Sequence, residues 1–400
     1  MADLLKPSDD RASLSSNLSL ILGLVHEYRT ISRSEICRQT GLTRSTVAKL
    51  VTTICEMGFA VESGAEQIDR VGRPSISVEA ASNLIAISVH PEVDYLEIKA
   101  VSFNGQIVHT EKVLYPATVA PEQAVRDIVT LMNSVIQVLE ASEKNYRILG
   151  AGVIVPGQID STTGVVRQAP HLEWFEFPIR DLLSEALDLK IIIGNDASLG
   201  CKAEITYGAA KGASEVVYLH GSSGLGGGVY TGGRALQGIG GYAAELGHVR
   251  ISSLAQNDYS GIPGTLEALV RREDLERVLG LSQVSDEELE STLLNQRTSA
   301  STSLAKKQLE ALGIGVANFI NIFNPEVVVL AGFLSGLYRF DQKYFHEILR
   351  LYTIPAALEG VQVFVAELGS NSLAIGASEL IFEELIADPN AFAQISRPKR

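Results

Sequence analysis

The chain has few cysteines, no long apolar run and no apolar N-terminus, and each of these features excludes a class of protein. Its three cysteines, Cys37, Cys55 and Cys201, make neither a disulfide framework nor a metal cluster, and they fit a reducing cytoplasm. The richest apolar run, residues 327–338, is broken by two glycines and a serine, so we expect no membrane span. The first residues are polar and carry Asp9 and Asp10, unlike a secretory signal peptide.

The length predicts more than one domain. Four hundred residues exceed what one hydrophobic core usually organises, so we expect about two or three domains. A hydrophobic content of 46% with 20% charged residues is typical of a globular protein. We expect residues 1–13 to be a flexible leader and residues 391–400 to be a basic, disordered tail.

Residues 14–58 have the pattern of three short helices. Ser32 is a good N-cap with Glu35 three residues later, the arrangement of a capping box, and Gly41 would end that helix. Thr43 would cap the next helix, which Gly58 closes. A helix, a glycine-containing turn and a second helix are the pattern of a helix-turn-helix. The expected helices span residues 14–28, 33–40 and 44–57.

Two β-like runs follow, at residues 59–62 and 75–79, on either side of a polar loop that holds Arg73 between a glycine and a proline. A hairpin beside a helix-turn-helix is typical of a wing, so residues 14–80 are predicted to form a winged DNA-binding domain. The start of the third helix would enter the major groove, and the wing arginine would suit a minor groove. The alternative is a three-helix interaction module with no role in DNA binding. The predicted DNA contacts are Ser32, Arg44, Ser45, Thr46, Lys49 and Arg73.

The net charge of −14 argues against nonspecific coating of nucleic acid. Residues 1–80 contain nine Lys and Arg against ten Asp and Glu, a balance of −1, so residues 81–400 carry the other −13. The acidic bulk would repel phosphate. DNA affinity must therefore come from locally placed cations, doubled in a dimer.

From residue 84 the pattern changes to strands that alternate with helices, which predicts an α/β fold. Glycines and polar residues follow several strands, and ligand sites of α/β proteins lie at such carboxyl ends. The expected strands are residues 84–89, 95–103, 106–113, 148–155, 189–193, 214–219 and 326–330. The expected helices are residues 122–140, 197–207 and 304–323.

Three polar motifs in this part each have a purely structural alternative. Asn195-Asp196 precedes a helix and would serve as an N-cap as readily as a ligand. A glutamate and a histidine three residues apart, such as Glu245 and His248, are more often surface residues or groups hydrogen-bonded within the protein than ligand-binding residues. Residues 222–228 are glycine-rich and expose N–H groups that suit oxyanions, but they lack the lysine of a P-loop and could form a plain turn.

Taken together, residues 150–376 resemble the ROK family of sugar kinases, open reading frames and repressors. With the predicted DNA-binding head, whose matching stretches are Gly41-Leu-Thr-Arg-Ser-Thr-Val47 and Gly72-Arg-Pro74, the match covers nearly the whole chain in the order of ROK repressors. The other matching stretches are Gly150-Ala-Gly-Val-Ile-Val-Pro-Gly157, Asn195-Asp-Ala197, Ser223-Gly-Leu-Gly-Gly-Gly228, Ala244-Glu-Leu-Gly-His248, Ile322-Phe-Asn-Pro325 and Leu368-Gly-Ser.

The resemblance implies an actin-like, ribonuclease-H-type domain of two lobes over residues 84–390. This domain would bind sugar and dimerise, with its C-terminal helix returning to the first lobe. By the same resemblance, a remnant of a phosphate loop comprises Ser223, Gly224, Gly226 and Gly227. The residues implied to hold sugar hydroxyls are Asn195, Asp196, Glu245, His248 and Glu267.

The chain departs from the family's kinases at the loop that holds the ATP phosphates. The kinases carry Asp-x-Gly-Gly-Thr, where this chain has Ser88, His90, Pro91 and Glu92 in the corresponding stretch. Pro91 has no N–H to donate, and Glu92 would repel a nucleotide. Phosphoryl transfer depends on positioning and charge stabilisation. We therefore expect no ATP binding and no catalysis, with Asp196, the would-be general base, serving as a ligand-binding residue.

A second departure concerns metal. Family members often bind zinc through the histidine of the Glu-x-Gly-His motif and a Cys-x-Cys-Gly-x-x-Gly-Cys-x-Glu run. Here the run is Asp258-Tyr-Ser-Gly-Ile-Pro-Gly-Thr-Leu-Glu267, with the spacing kept and every cysteine replaced. Serine and threonine are poor zinc ligands, so we expect no structural zinc and no other cofactor.

These observations favour a cytoplasmic transcriptional repressor without enzymatic activity. It would bind a pseudo-palindromic operator as a homo-oligomer, a dimer or a dimer of dimers, and a sugar or sugar phosphate would release it. Hydroxyl-binding residues do not specify one sugar. One alternative is an ATP-dependent kinase for hexoses or amino sugars with an appended DNA-binding head. Another is a constitutive DNA binder whose sugar site is a relic.

Overall fold

A computed structural model of the chain describes residues 11–64, 76–160, 162–239 and 241–393. Residues 11–64 and 76–80 form an N-terminal unit of three helices and a small sheet. The remainder contains two five-stranded sheets with helices packed on them, and we call these halves the first and the second lobe. The chain combines helices with mixed β-sheets, so its fold is α/β, as predicted.

The N-terminal unit follows the predicted helices closely. Ser32 Oγ accepts a hydrogen bond from the Glu35 amide, and Thr43 Oγ1 accepts one from the Thr46 amide, so both predicted caps are confirmed. The unit comprises α1 (Arg11–Tyr28), β1 (Thr30–Ser32), α2 (Arg33–Thr40), α3 (Arg44–Glu56), β2 (Ala60–Ser63) and β3 (Ser77–Ala80), with antiparallel strands in the order β1-β3-β2.

The structure differs from the sequence predictions, or does not describe the residues concerned, at both ends of the chain and in the wing. Helix α1 begins at Arg11, so the expected leader of residues 1–13 is wrong for its last three residues. The rest of that leader, the wing loop with Arg73, and residues 394–400 of the expected tail lie outside the described residues. Residues 391 and 392 of that tail belong to a short helix.

The first lobe is a mixed sheet in the order β11-β7-β4-β5-β6, in which β11, β7 and β4 are parallel. Strand β7 is buried along nearly its whole length, as expected for a strand covered on both faces. The elements are β4 (Leu84–Pro91), β5 (Tyr95–Ser102), β6 (Ile107–Leu114), α4 (Pro121–Glu140), β7 (Arg147–Val155), β8 (Gln158–Asp160), β9 (Val165–Ala169), β10 (Trp174–Phe177), α5 (Ile179–Leu187) and β11 (Ile191–Asn195).

The second lobe has the sheet order β14-β13-β12-β15-β16. Its elements are α6 (Asp196–Tyr207), β12 (Val216–Gly221), β13 (Leu225–Thr231), β14 (Arg234–Ala235), α7 (Leu266–Leu269), α8 (Arg272–Leu279), α9 (Asp286–Asn295), α10 (Ser299–Phe323), β15 (Val327–Gly332), α11 (Phe333–Phe340), α12 (Gln342–Tyr352), α13 (Pro355–Leu358) and β16 (Gln362–Val365). Two helices follow, α14 (Ser372–Ala387) and α15 (Pro389–Phe392), and α14 packs on β4 and β7 of the first lobe. Within the described ranges, no helix has both the length and the apolar character needed to cross a membrane.

The N-terminal unit and the first lobe share one hydrophobic cluster. Leu22 and Val25 of α1 belong to the same buried group as Phe103, which follows β5, and Phe382 of α14. The connection between the two parts is short, and Ala81 within it is buried and donates its amide to Phe59 O. The N-terminal unit is therefore packed onto the first lobe and does not hang from a free linker.

Candidate functional site

The carboxyl end of β11 delivers two polar residues to the gap between the lobes. Asn195 caps α6, since its Oδ1 accepts a hydrogen bond from the Ser198 amide and its Nδ2 donates to Gly157 O, both at 3.1 Å. Asp196 is the first residue of α6 and is 6% exposed. The capping alternative is thus real for Asn195, while the Asp196 carboxylate faces a cavity.

The glycine-rich segment forms a tight hairpin between β12 and β13. Ser223 and Gly224 lie in the turn, whereas Gly226 and Gly227 belong to β13. A Cβ on Gly224 would lie 2.5 Å from Nε2 of His171, and one on Gly226 would lie 2.7 Å from the Ala197 Cβ. Glycine is required here because the hairpin packs directly against α6 and the polar residues of the site.

Glu267 lies on α7 and is almost fully buried, at 4% exposure. Its Oε2 accepts a hydrogen bond from the Leu225 amide at 2.8 Å and lies 3.8 Å from Nε2 of His171. Oε1 has no hydrogen-bond partner among the described residues. Burial alone would raise the pKa of Glu267, but His171 and the Leu225 amide outweigh it and hold the pKa below its usual value. An ionised carboxylate with a free oxygen is a strong acceptor for a ligand hydroxyl.

Glu245 and His248 come from the short 3-10 helix Leu246–His248 and the residue before it. Burial raises the pKa of Glu245. Nδ1 of His248 lies 2.9 Å from Oδ2 of Asp258. Burial would lower the pKa of His248, but the Asp258 carboxylate overcomes this and raises it. The same contact fixes the ring orientation.

These residues enclose a small cavity of about 60 Å³. This volume is enough for about four to six ordered water molecules at roughly 10–15 Å³ each. Asp196, buried within its wall, has its pKa raised to about 6 by burial. All five residues predicted to hold sugar line this cavity: Asn195, Asp196, Glu245, His248 and Glu267.

Sequence reasoning missed one central residue of the site. His171 follows β9, lines the cavity, and packs at a tilt against the Tyr259 ring, with ring centroids 4.0 Å apart. Nothing in the spacing of the motifs points to it, because it comes from the first lobe and stands alone between a proline and a leucine. Strand β9 was not predicted from the sequence either, so no sequence signal pointed to His171.

The stretch that departs from the kinase phosphate loop forms a closed hairpin. The Glu92 amide donates to Tyr95 O at 2.8 Å, so it is not available to a phosphate. Ser88 and His90 pair within the sheet with Lys99 and Glu97 of β5. Glu92 Oε2 accepts a hydrogen bond from Ser223 Oγ at 3.2 Å, which ties this hairpin to the glycine-rich turn.

The loop corresponding to the family's zinc loop is held by hydrogen bonds. His248, Asp258 and Glu267 bring potential metal-ligating atoms within 4.8 Å of one another. However, Asp258 Oδ2 accepts from Thr265 Oγ1 and faces His248 Nδ1, while Oδ1 accepts from the amides of Ser260 and Ile262. A metal would have to displace these bonds, and the fourth ligand of a structural zinc is absent from the cluster. The described residues therefore do not fit the family's zinc.

Four of the predicted DNA contacts lie in the first two turns of α3. Arg44, Ser45 and Lys49 of α3 are exposed, whereas Thr46 is half-buried and its hydroxyl lies 2.9 Å from that of Thr43. Ser32 is also half-buried and serves as the cap of α2. The sixth predicted contact, Arg73, lies outside the described residues.

Comparison with known proteins matches the ROK family model to residues 87–384. A protein of Caldicellulosiruptor sp. (strain Rt8B.4) described as a putative xylose repressor is 27% identical, covering 94% of this chain and 97% of its own length. Among solved structures, a ROK family transcriptional regulator, a homolog of the E. coli MLC protein, superposes with a TM-score of 0.76 at 18% identity. That alignment covers 96% of this chain and 99% of the regulator.

A second solved structure shows that the same fold also occurs in an enzyme. A ROK family glucokinase from Streptomyces griseus, in complex with glucose and AMPPNP, superposes with a TM-score of 0.61 at 24% identity. The alignment covers 98% of the glucokinase but only 74% of this chain. The two lobes thus have the fold of a sugar kinase, and the regulator match must include most of the N-terminal unit.

Proposed function

The chain belongs to the ROK family, and on that premise we propose that it is a DNA-binding transcriptional repressor that a sugar releases from its operator. The relative named as a putative xylose repressor supports this proposal, since it aligns with 94% of this chain. The regulator structure supports it in the same way, because it matches the chain almost from end to end.

In this proposal the N-terminal unit is a winged helix-turn-helix, and α3 reads the operator. The exposed Arg44 and Lys49 supply cations for phosphate or guanine edges, and Ser45 lies at the start of the helix, where base edges are contacted. A two-fold homo-oligomer would place two such helices in successive major grooves of a pseudo-palindromic operator. Pairing also doubles the cations that work against the acidic bulk.

The cavity between the lobes would bind one sugar ring. Asp196, Glu245 and Glu267 provide acceptors for hydroxyl groups, and His248 and Asn195 provide donors. A sugar that contacts Asp196 on α6 of the second lobe and His171 of the first lobe bridges the two walls of the cavity. The state with closed lobes then binds sugar more tightly, which is the differential affinity that an effector needs.

Phosphoryl transfer is not part of the proposed function, and we expect neither ATP nor a metal as cofactor. The Glu92 amide is already bonded to Tyr95 O, and Pro91 has no amide hydrogen. The observation that favours the kinase alternative is Asp196, a carboxylate with a pKa of about 6 at the place of a general base.

The observation that carries the proposal is the path of α6. This helix begins with Asp196 in the sugar cavity and ends with Tyr207 against α1 of the N-terminal unit. The Tyr207 hydroxyl lies 2.8 Å from Nε2 of His26 and donates to Glu379 of α14 at 3.0 Å, and the Arg29 guanidinium lies 4.0 Å from the Tyr207 ring centroid. Twelve residues of helix span about 18 Å. A sugar that shifts α6 would therefore move the base of the DNA-binding unit.

The test measures operator affinity by fluorescence anisotropy, with a duplex that the purified protein selects from a random-sequence pool. A panel of sugars and sugar phosphates is added, and sugar binding is measured separately by calorimetry. We expect one class of sugar to weaken operator binding, and Tyr207→Phe to reduce that effect about five-fold or more while sugar still binds. Tyr230→Phe, which removes a tyrosine hydroxyl on β13, is the control and should respond like the wild type.

Two results would replace the proposal. If no sugar changes operator affinity, the chain is a constitutive DNA binder. If ADP forms from ATP in the presence of a sugar and this turnover disappears in Asp196→Asn, the chain is a sugar kinase with an appended DNA-binding unit.

A further inference from the structure

A second, much larger cavity adjoins the proposed sugar site. It has a volume of about 610 Å³ and lies between the lobes, with walls from the β4–β5 hairpin, β12, α8 and α9. The two cavities share His171, Pro170 and Ser222 as wall residues, so they are direct neighbours. A cavity of several hundred Å³ is the usual size for an organic ligand larger than one sugar ring.

The charges around this cavity do not suit a phosphate. Eight Asp and Glu side chains line it, against the cations Lys99, Lys112 and Arg272. Each cation already has a protein partner, since Lys99 pairs with a glutamate of β5, Lys112 lies over the Tyr95 ring, and Arg272 pairs with Asp286. An anionic ligand would meet an excess of negative charge with no free cation among the described wall residues to offset it.

Two buried polar atoms point to a neutral ligand. His90 and Glu92 are 6% and 4% exposed, and both line the large cavity. His90 Nε2 and Glu92 Oε1 lie 3.8 Å apart and have no hydrogen-bond partner among the described residues. Buried polar groups of this kind are normally satisfied. A hydroxyl oxygen about 2.8 Å from both atoms could accept from the imidazole and donate to the carboxylate at once.

The state of the histidine fits this geometry. Burial lowers the pKa of His90 to about 3, so the ring is neutral and carries a single N–H. Nδ1 of His90 lies 3.4 Å from the Tyr95 hydroxyl, which leaves Nε2 for the cavity. Glu92 also lies on the route between the two cavities, because its other oxygen accepts from Ser223 in the glycine-rich turn beside His171.

We infer that the effector is a non-phosphorylated oligosaccharide, with one unit in the small cavity and the next in the large one, where a hydroxyl of the second unit lies between His90 and Glu92. This inference rests on the proposed function and specifies its ligand. It assigns a second ligand subsite to the region where the family's kinases hold nucleotide phosphates.

The experiment compares dissociation constants by calorimetry for xylose, glucose and N-acetylglucosamine, their β-1,4-linked dimers and their phosphate esters. We expect one dimer to bind about ten-fold or more tightly than its own monomer, the effect of satisfying buried polar groups. His90→Phe and Glu92→Leu, two independent variants that keep side-chain bulk, should bring the ratio of the two constants close to one. Glu185→Leu, at an exposed position of α5 that lines neither cavity, should leave the ratio unchanged.

The outcomes separate this inference from the function on which it rests. Monomers that bind as tightly as dimers, or phosphate esters that bind best, would overturn the inference while a sugar-dependent release of operator still stands. A ratio unchanged in both variants, each checked for a wild-type melting temperature, would also overturn it. If no carbohydrate of the panel releases the operator, the proposed function itself fails.

Discussion

At the scale of single residues, Asp196 is the group with the most informative titration. Its pKa is raised to about 6, from an ordinary 3.8, by burial, with the charge of Glu267 adding to the effect and that of His171 opposing it. An ionised carboxylate is the stronger acceptor for a sugar hydroxyl. We therefore predict that effector affinity increases as the pH rises through about 6, which titration calorimetry between pH 5 and pH 8 would measure.

The stability of the ligand-free protein should decrease, rather than increase, as the pH rises through the same range. Because the folded-state pKa of Asp196 lies above the unfolded value, the folded protein retains a proton that the unfolded chain has lost between about pH 4 and pH 6. Its contribution to stability is present below that window and is lost as the pH rises through it. Asp196→Asn should remove the pH dependence of effector affinity and also this contribution to the pH dependence of stability. An affinity that keeps its pH profile in Asp196→Asn would assign the titration to Glu245 or His248 instead, whose pKa values are also raised.

The sequence identified those residues of the site that lie in contiguous motifs. Asn195-Asp196 and Glu245-x-x-His248 are local patterns, and the family frame led to Glu267. His171 could not be found in this way, because it enters the cavity from a different lobe and its only sequence neighbours are apolar or small. Glu92 was noted as an obstacle to nucleotide, but its bond to Ser223, far along the chain, depends on the tertiary fold.

At the scale of elements, the loop around Asp258 is held by hydrogen bonds where the family often uses zinc. Asp258 accepts from Thr265 Oγ1 and from two amides, and it holds His248. We predict that Asp258→Asn lowers the free energy of unfolding by about 1–3 kcal/mol, because the new amide turns a donor toward other donors. Urea unfolding measures this loss, and weaker sugar binding should accompany it because His248 loses its orientation.

The matched control for that prediction is Asp181→Asn on α5, an exposed aspartate whose side chain is 69% accessible. Its effect should stay within about 0.5 kcal/mol. The wild-type melting temperature should not change with a chelator or with added zinc. A fall with the chelator would mean that this loop binds a metal after all.

Elements with strong local signals were predictable, and short ones were not. Helices α2 and α3 were placed to within one residue because Ser32, Thr43 and Gly41 provide caps that act locally. Strand β1 and the small sheet of β8, β9 and β10 were missed, since strands of three to five residues carry too little alternation to detect. Their pairing depends on partners that are distant in the sequence.

At the scale of the whole molecule, the N-terminal unit and the first lobe share one hydrophobic core. Phe382 of α14 is 1% exposed, and its ring lies 5.2 Å from that of Phe103 and 5.3 Å from that of His26. The sequence showed a boundary before residue 84, where the pattern changes to alternating strands and helices. It could not show that the two sides of this boundary pack together, because α14 reaches the junction from the far end of the chain.

This shared core predicts that damage to α14 is felt in α3, the helix that we propose reads the operator. Phe382→Ala should cost about 3–5 kcal/mol and should speed amide hydrogen exchange in residues 44–56 of α3, because the cluster beneath α1 loses one of its buried phenyl rings. Phe345→Ala makes the same change at a fully buried position of the second lobe and is the control. Exchange followed by mass spectrometry should then increase around residues 342–352 and not in α3. Equal exchange in α3 for both variants would mean that the N-terminal unit is stable by itself, and the path from α6 to the operator would then need another contact.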